Sequence, residues 1–268
     1  MERIFKTIGL LRFSVLTPTY YSERFPTLKE TAAHIFSDER MDLRFRIFEN
    51  LCLPTLINQT DPDFEMIVLT AESMPPVHLE RLLDLIEPLP NIHCRPVGTD
   101  NHYKLLQNGY NSISRDGITH RILFRLDDDD AVDLNFVKRT KRFAKGLAKF
   151  QSPRQPYVIA HNRGFYVNTT DGAPEIFDAV ERAPLSTGTT LVAPAKHGHN
   201  PYRFNHRKLP QHYNTYQDIS VPAFIRTIHG DNKSNPAQMG LTHKLGMDEI
   251  ADQVQTHFGM TLDDLRAL

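Results

Sequence analysis

HRILFRLDDDD, at residues 120–130, joins an apolar run typical of a strand directly to four consecutive aspartates. In open α/β sheets, ligands gather at the carboxyl ends of the strands, so this position favours a binding site. Four adjacent carboxylates repel one another, and a cation or a set of hydrogen-bond donors must offset that cost. The segment therefore predicts a buried strand that ends in a ligand site.

The spacing of the aspartates indicates which of them could share a ligand. Alternate residues of an extended turn point the same way, so Asp127 and Asp129 can converge on one ion. Carboxylate oxygens suit Mg²⁺ or Mn²⁺, which commonly bridge to substrate phosphates. The alternative is a solvated acidic turn before a helix that begins near Leu134, with Asp133 as its N-cap.

The first 150 residues alternate between strand and helix patterns. Strands are predicted at 13–20, 64–69, 91–97 and 120–126. Helices are predicted at 41–58, 77–89, 103–114 and 134–150, and Pro54 should kink the first of them. This alternation predicts an α/β fold with a mainly parallel sheet flanked by helices.

The second half of the chain has a different pattern. Residues 157–168 predict a hairpin that turns at 162–164, and residues 221–229 predict a helix. Residues 170–220 have no clear period, and residues 247–268 predict one or two short helices. Because no Gly/Ser-rich linker separates the halves, we expect one domain, with a donor-binding half at about 10–150, an acceptor half at about 151–245 and a helical tail at 246–268.

Composition excludes several classes of protein. The 268 residues include 31 Lys and Arg against 32 Asp and Glu, so the basic excess of a general nucleic-acid binder is missing. Two cysteines, Cys52 and Cys94, do not make a disulfide framework. Arg12 interrupts the early apolar run, and no stretch approaches 18 apolar residues, so we expect a cytoplasmic protein without a membrane span.

Three segments resemble family 2 glycosyltransferases, which have the GT-A fold. These are VLTPTY (15–20), like their opening strand and turn, LPTLINQTDPDFEMIVL (53–69), like their helix-to-strand signature, and RILFRLDDDDAV (121–132), like the strand with their DxD motif. A closer resemblance is to a group of bacterial rhamnosyltransferases, through RFRIFENLCLPTLINQT (44–60) and IRTIHGDNKSN (225–235). The resemblance implies a GT-A fold, a nucleotide-sugar donor, a divalent metal on its diphosphate and an inverting transfer to a hydroxyl.

The resemblance also implies contacts with the donor's nucleotide. Thr17, Pro18 and Tyr20 would border the nucleotide. Family 2 members usually carry aspartates at the end of the second strand, where this chain has TAES at 70–73. Glu72 is the residue that could substitute for them.

For the metal, the resemblance implies three residues. Asp127 would reach the ribose or the metal, and Asp129 would bind the metal. His229 occupies the place near the end of the domain where GT-A enzymes often supply a third metal or phosphate contact.

An inverting transfer needs a group that takes the proton of the acceptor hydroxyl. The acceptor half offers Asp171, Glu175, Asp178 and Asp218, of which Asp218 is our candidate catalytic base. The alternative for Asp218 is a helix N-cap near Ser220.

Arginines are the candidates for binding the leaving diphosphate, because the planar guanidinium binds phosphate oxygens bidentately. Arg44 and Arg46 open the first long helix, and Arg203 and Arg207 lie in a histidine-rich loop. Arg44 and Arg203 are the predicted donor-binding residues. For Arg44 and Arg46, the alternative is that one or both are solvated surface charges.

The partners expected from this reading are a nucleotide-sugar donor and a glycan or lipid-linked acceptor. The basic face of the 134–150 helix could also attract an anionic membrane, although a solvated surface is the simpler interpretation. Two other functions stay open: a metal-dependent phosphotransferase or hydrolase that uses the aspartates, and a non-catalytic carbohydrate-binding protein on the same fold.

Overall fold

The computed structural model describes residues 2–19, 21–170, 173–232 and 240–268. Within them, seven strands form the larger of two sheets: β1 (Phe5–Arg12), β2 (Glu65–Ala71), β3 (Ile92–Val97), β4 (His120–Asp127), β6 (Tyr157–His161), β9 (Thr190–Pro194) and β10 (Asn214–Asp218). Their spatial order is β10-β6-β9-β4-β1-β2-β3. Strands β3, β2, β1 and β4 are parallel, and β9 pairs antiparallel with both β4 and β6.

Helices cover both faces of this sheet. They are α1 (Leu28–Ile35), α2 (Asp38–Ile47), α3 (Leu53–Ile57), α4 (Pro76–Ile86), α5 (His102–Asn111) and α6 (Phe136–Leu147). Alternate strand residues face opposite sides, so Leu11 and Val68 pack with α2, α4 and α6, whereas Leu10 and Leu69 pack with α5. Burial on both faces explains why these strands are apolar throughout.

A second sheet of five strands is formed by the described residues of the second half. It contains β5 (Asp130–Val132), β7 (Arg163–Asn168), β8 (Glu175–Val180), β11 (Phe224–Ile228) and β12 (Leu241–Thr242), in the order β12-β8-β7-β11-β5. Helices α7 (Met247–Phe258) and α8 (Leu262–Arg266) place Val254, Phe258 and Leu265 against Phe165 and Ile225 of this sheet. Among the described residues, no helix has the length and apolar character needed to cross a bilayer.

The prediction for the first strand was wrong in position. Strand β1 ends at Arg12, and the 13–20 segment follows it, with Ser14 at a positive φ of 52°. The segment resembles a strand because Phe13, Val15 and Leu16 are buried although they lie in a loop. Burial of this loop, and not strand pairing, accounts for its apolar residues.

The helix predicted at 41–58 is present but has no break at its proline. Helix α2 passes into a π-helical turn at Phe48–Cys52 and then into α3, where Pro54 lies in the first turn. A proline is tolerated in a first helical turn because its missing N–H would lack an α-helical partner there.

The predicted hairpin at 157–168 was also wrong. Strand β6 belongs to the larger sheet and β7 to the smaller one, so the chain changes sheets at Asn162. The buried Asn162 holds this crossing by donating to the Asp218 and Glu181 carbonyl oxygens. Its polar side chain therefore fastens two sheets together and does not occupy a hairpin turn.

Within residues 221–229, where a helix was predicted, residues 224–228 form a strand. Strand β11 lies between β7 and β5. Ile225, Thr227 and Ile228 are β-branched, and such residues favour strands over helices. The tail, in contrast, contains the two short helices that the sequence predicts.

Candidate functional site

A charged cavity lies where strands β1 and β4 end. Arg12 and Asp127 are the last residues of these two parallel strands and are directly paired in the sheet register. Arg12 Nε donates to Asp127 Oδ1 at 3.1 Å. The cavity beside this ion pair has a volume of about 660 Å³. The cavity therefore lies at the carboxyl end of the sheet, which is where the sequence predicts a ligand site.

Arginines outnumber acids among the described residues that line this cavity. The acids are Glu23, Asp127, Asp128, Asp129 and Asp231, and the arginines are Arg12, Arg40, Arg44, Arg125, Arg203, Arg207 and Arg226. Partial burial strengthens the interaction of these charges with a ligand, because the effective dielectric constant is lower there than in water. The lining is suited to a multiply charged anion.

Each aspartate of the 127–130 run has its own partners. Asp128 forms two hydrogen bonds with Arg44, one of them from Nε at 2.9 Å. Asp129 Oδ2 lies 2.9 Å from Arg44 Nη1 and 3.1 Å from His229 Nε2, and it accepts from Asn232 Nδ2 at 3.1 Å. Hydrogen-bond donors thus offset the repulsion between adjacent carboxylates.

Asp130 faces the other way, into the fold. It pairs with Arg226 across β5 and β11, and Arg226 Nε lies 3.5 Å from its Oδ1. Thr187 donates its hydroxyl to Asp130 Oδ2. Arg226 itself lines the cavity, so Asp130 lies behind a cavity cation.

These contacts set the protonation of the run. Burial alone would raise the pKa of Asp129, but the charge of Arg44 and the hydrogen bond with His229 hold that pKa far below its usual range. Burial would also raise the pKa of Asp127, but the charges of Arg12 and Arg125 have the larger effect, so the pKa of Asp127 is lowered too. For Asp130, burial prevails over Arg226 and raises the pKa to about 8.

The predicted metal ligands are only partly brought together. Asp129 and His229 are adjacent, whereas Asp127 pairs with Arg12. In the described part of the chain, no three His, Cys, Asp or Glu side chains are grouped as a metal site. Because the ligands as placed bind arginine, asparagine and one another, they do not form a ready-made site for Mn²⁺ or Mg²⁺. The metal requirement stays a prediction.

The predicted donor-binding residues lie in different places. Arg44 and Arg203 line the cavity, and the Arg203 guanidinium lies 5.3 Å from the centre of the Tyr103 ring. The guanidinium of Arg44 donates to Asp128 and Asp129, so in this structure Arg44 holds these two aspartates in place.

The predicted nucleotide contacts are not among the described lining residues. Thr17 is buried and Pro18 is exposed, and both follow β1 without lining the cavity. Glu72 lies just past β2, where its N–H donates to the Val97 carbonyl, and it too lies outside the lining. Tyr20 lies outside the described residues.

The structure does not bring Asp218, the predicted base, to the cavity. Asp218 ends β10, is 3% exposed and accepts from the Ser220 N–H and hydroxyl. Its Oδ2 lies 3.5 Å from both Arg139 Nε and His161 Nδ1. The N-cap alternative does not hold either, because a strand and not a helix follows Ser220. For the 127–130 run, the alternative was an acidic turn before a helix with Asp133 as its N-cap. The N-cap of that helix, α6, is Asn135 and not Asp133.

Sequence reasoning missed four of the cavity arginines, Arg12, Arg40, Arg125 and Arg226. Arg12 and Arg125 stand near the carboxyl ends of apolar strands, which is the signal that could have revealed them. Because the first strand was predicted at 13–20, Arg12 was not recognised as the last residue of a strand. Arg226 was hidden because its strand was read as a helix.

The chain matches the model of a known protein family over most of its length. The family model described as "Putative rhamnosyl transferase" matches residues 6–241 of the chain. A search of curated proteins finds no match. The mixed α/β architecture predicted from the sequence is confirmed by the mainly parallel sheet.

Solved structures similar to the chain include S. aureus TarS, at 12% identity and a TM-score of 0.46, covering 83% of this chain and 37% of that one. TarS 1–349 in complex with UDP-GlcNAc is 12% identical, with a TM-score of 0.47 and coverage of 97% of this chain and 69% of that one. A "putative nucleotide-diphospho-sugar transferase" from Desulfovibrio desulfuricans G20 is 7% identical, with a TM-score of 0.38 and coverage of 81% and 80%. The chain thus spans well under half of the length of the first of these proteins.

Proposed function

We propose, on the premise that the chain belongs to the rhamnosyl transferase family and is a glycosyltransferase of GT-A type, that its cavity binds the diphosphate of a nucleotide-sugar donor. The sugar is rhamnose, the one the family description names, and its transfer inverts the configuration at the anomeric carbon. The acceptor is a hydroxyl of a glycan or of a lipid-linked sugar.

The observation that carries this proposal is a set of cavity arginines that form no ion pair with the described carboxylates. Within the described residues, Arg125, Arg203 and Arg207 line the cavity without an ion pair, whereas Arg12, Arg40, Arg44 and Arg226 each face an aspartate. Guanidinium groups bind phosphate oxygens in a planar, bidentate manner. Three guanidinium groups without an ion pair are therefore suited to binding a diphosphate.

In the proposed reaction, the acceptor oxygen attacks the anomeric carbon from the face opposite the diphosphate. The bond from that carbon to the phosphate oxygen breaks, and its electron pair leaves with the nucleoside diphosphate. Cations held in place before the reaction stabilise the charge that develops on this leaving group. Arg125, Arg203 and Arg207 supply that stabilisation, and the aspartate–arginine pairs hold the surrounding wall in place.

The test is a calorimetric titration of UDP, GDP and dTDP into the protein, with Mn²⁺ or with a chelator. We expect at least one of the three to bind, and the Arg203→Gln/Arg207→Gln variant to weaken that binding at least about tenfold, or 1.4 kcal/mol. Arg154→Gln is the matched control, because Arg154 is exposed and lies outside the cavity. The two metal conditions test the predicted Mn²⁺ or Mg²⁺ requirement at the same time.

Two results would favour the other functions. If none of the nucleoside diphosphates binds, the non-catalytic carbohydrate-binding reading gains support. If the protein releases inorganic phosphate from a bound nucleotide, it is a phosphotransferase or hydrolase. Release of intact nucleoside diphosphate from a nucleotide-sugar, faster with acceptor than without it, supports the transferase.

A peripheral membrane contact is part of the proposal for a lipid-linked acceptor. On α6 and just beyond it, Lys138, Arg142, Lys145 and Lys149 are exposed at positions i, i+4, i+7 and i+11, and Phe150 is 85% exposed. Each basic residue near an anionic surface contributes about 1 kcal/mol. Sedimentation with phosphatidylglycerol vesicles should fall in Lys145→Glu/Lys149→Glu and stay unchanged in Lys29→Glu, which lies elsewhere on the surface.

A further inference from the structure

An inverting transfer needs a proton acceptor in the cavity, and Asp218 lies outside it. The aspartates that line the cavity are each held by an arginine: Asp127 by Arg12, Asp128 and Asp129 by Arg44, and Asp231 by Arg40. A carboxylate stabilised in this way is a weak base, because protonation would break its ion pair. Glu23, the fifth acid of the lining, lies exposed on the loop that follows β1.

Two histidines also line the cavity. His102 Nε2 lies 3.4 Å from Arg12 Nη1, so its ring is already engaged. His206 begins a short 3-10 helix (His206–Gln211), which is capped by the Asn205 side chain accepting from the Arg207 N–H. Within the described part of the chain, the His206 ring has no hydrogen bond or ion pair, and the ring is half-buried.

We infer that His206 is the group that accepts the proton of the acceptor hydroxyl, an inference that rests on the proposed glycosyl transfer. The hydroxyl proton moves to an unprotonated ring nitrogen of His206 as the acceptor oxygen bonds to the anomeric carbon. The bond between that carbon and the diphosphate breaks, and its electron pair leaves with the nucleoside diphosphate. The imidazolium then returns the proton to solvent.

The charges that face His206 come from three elements. Arg125 and Asp127 lie on β4, Arg226 lies on β11, and Arg207 is the next residue of the 3-10 helix. Burial and then the three arginines lower the pKa of His206 to about 3, and Asp127 acts in the opposite direction. His206 is therefore neutral at pH 7, as a proton acceptor must be before the reaction.

Donor binding would make His206 a stronger base. A diphosphate bound to Arg125, Arg203 and Arg207 offsets part of the positive charge that lowers the pKa of the ring. The pKa then rises toward the operating pH, where general bases work best. The arginines that bind the leaving group would in this way also couple donor binding to proton transfer.

The experiment compares His206→Ala and His206→Gln with the control His212→Ala. His212 is exposed, lies in the same loop and stacks on Phe204 at 3.6 Å between ring centres, but it does not line the cavity. We expect kcat to fall at least about 100-fold in both His206 variants, with nucleoside diphosphate affinity within about threefold of wild type. His212→Ala should keep the wild-type kcat and the wild-type nucleoside diphosphate affinity.

The pH profile separates proton transfer from a structural role. The wild-type kcat should fall at low pH with a single-proton limb, and the residual activity of His206→Gln should lack that limb. If either His206 variant that melts like wild type keeps more than about a third of kcat, or if the limb persists, the inference is wrong. If wild type itself binds no nucleoside diphosphate, it is the proposed function that fails.

Discussion

Two clusters in this molecule have the same composition, one arginine, two aspartates and one histidine. In the cavity cluster, Arg44 bridges Asp128 and Asp129, and His229 lies 3.1 Å from the second aspartate. In the sealed cluster, Arg139 bridges Asp133 and Asp218, with distances of 2.8 Å to Asp133 Oδ1 and 3.5 Å to Asp218 Oδ2, and His161 lies 3.5 Å from the second aspartate. Both arginine side chains are about equally buried, at 9% and 8% exposed.

The clusters differ in access and in hydrogen bonding. Arg44, Asp128 and Asp129 line the cavity, whereas none of the sealed cluster does. In the sealed cluster, Arg139 Nε, His161 Nδ1 and Asp218 Oδ2 are buried without a hydrogen-bond partner. The sealed cluster joins α6 to the edge strand β10 and to its neighbour β6, so we assign it to stability and the cavity cluster to ligand binding.

The largest expected effect separates these two assignments. Arg44→Met and Arg139→Met should each cost about 3–5 kcal/mol of unfolding free energy, because each leaves two buried carboxylates without their cation. Urea unfolding measures this cost. Calorimetry under folded conditions should show weaker nucleoside diphosphate binding only in Arg44→Met, because the loosened aspartates belong to the cavity wall. Equal loss of affinity in Arg139→Met would remove the distinction between the clusters.

The next comparison is between Asp129 and Asp218, the aspartate beside the histidine in each cluster. Asp129→Asn should lower the transfer rate at least about 100-fold, because it removes the carboxylate that holds Arg44, His229 and Asn232 in the cavity wall. Asp218→Asn should change the rate less than about threefold while it lowers the melting temperature. Steady-state kinetics with the correct donor and acceptor measures both. A large rate loss in Asp218→Asn, with normal folding, would restore Asp218 as the predicted base.

The sequence could not distinguish these clusters, and the reason is physical. Asp129 was identified because it follows an apolar strand, and that local pattern also places it at the end of the sheet. Asp218 was chosen for its distance from His229 along the chain, which says nothing about the direction of its side chain. The partners of Asp218 come from residues 139 and 161, so only the tertiary fold shows that it is sealed.

The fold itself was more predictable where strands are buried on both faces. Strands β2, β3 and β4 and helices α4, α5 and α6 lie close to their predicted ranges, because continuous apolar runs and helical periods are local signals. Errors arose where the chain leaves the sheet: Phe13 is buried in a loop, and Asn162 marks a change of sheet. The predictions of a single domain and of a metal on the donor remain predictions.

The smallest expected effect is a pH dependence of stability that comes from the sealed cluster. Burial lowers the pKa of His161, so the folded state binds this proton less readily than the unfolded state, whose histidines titrate near 6.5. As the pH falls below about 6.5, the unfolded state takes up more protons, and the stability that His161 contributes at higher pH is lost. The contribution of His161 to the unfolding free energy should therefore be smaller at pH 5 than at pH 7.

His161→Gln tests this contribution, since glutamine keeps a polar side chain beside Thr140 and Asp218 without titrating. The slope of unfolding free energy against pH between 7 and 5 should become shallower, by at most about 1.4 kcal/mol per pH unit for one proton. Burial also lowers the pKa of His120 and of His206, and it raises the pKa of Asp130, which has the opposite effect on the slope. The measured quantity is therefore the difference between wild type and His161→Gln, and His120→Gln provides the comparison. An unchanged slope in His161→Gln would mean that His161 has the same pKa in the folded and unfolded states, and a steeper slope would mean that His161 keeps its proton in the folded protein, as a partner of Asp218. The sealed cluster would then carry a balanced set of charges, and the contrast with the cavity cluster would depend on access alone.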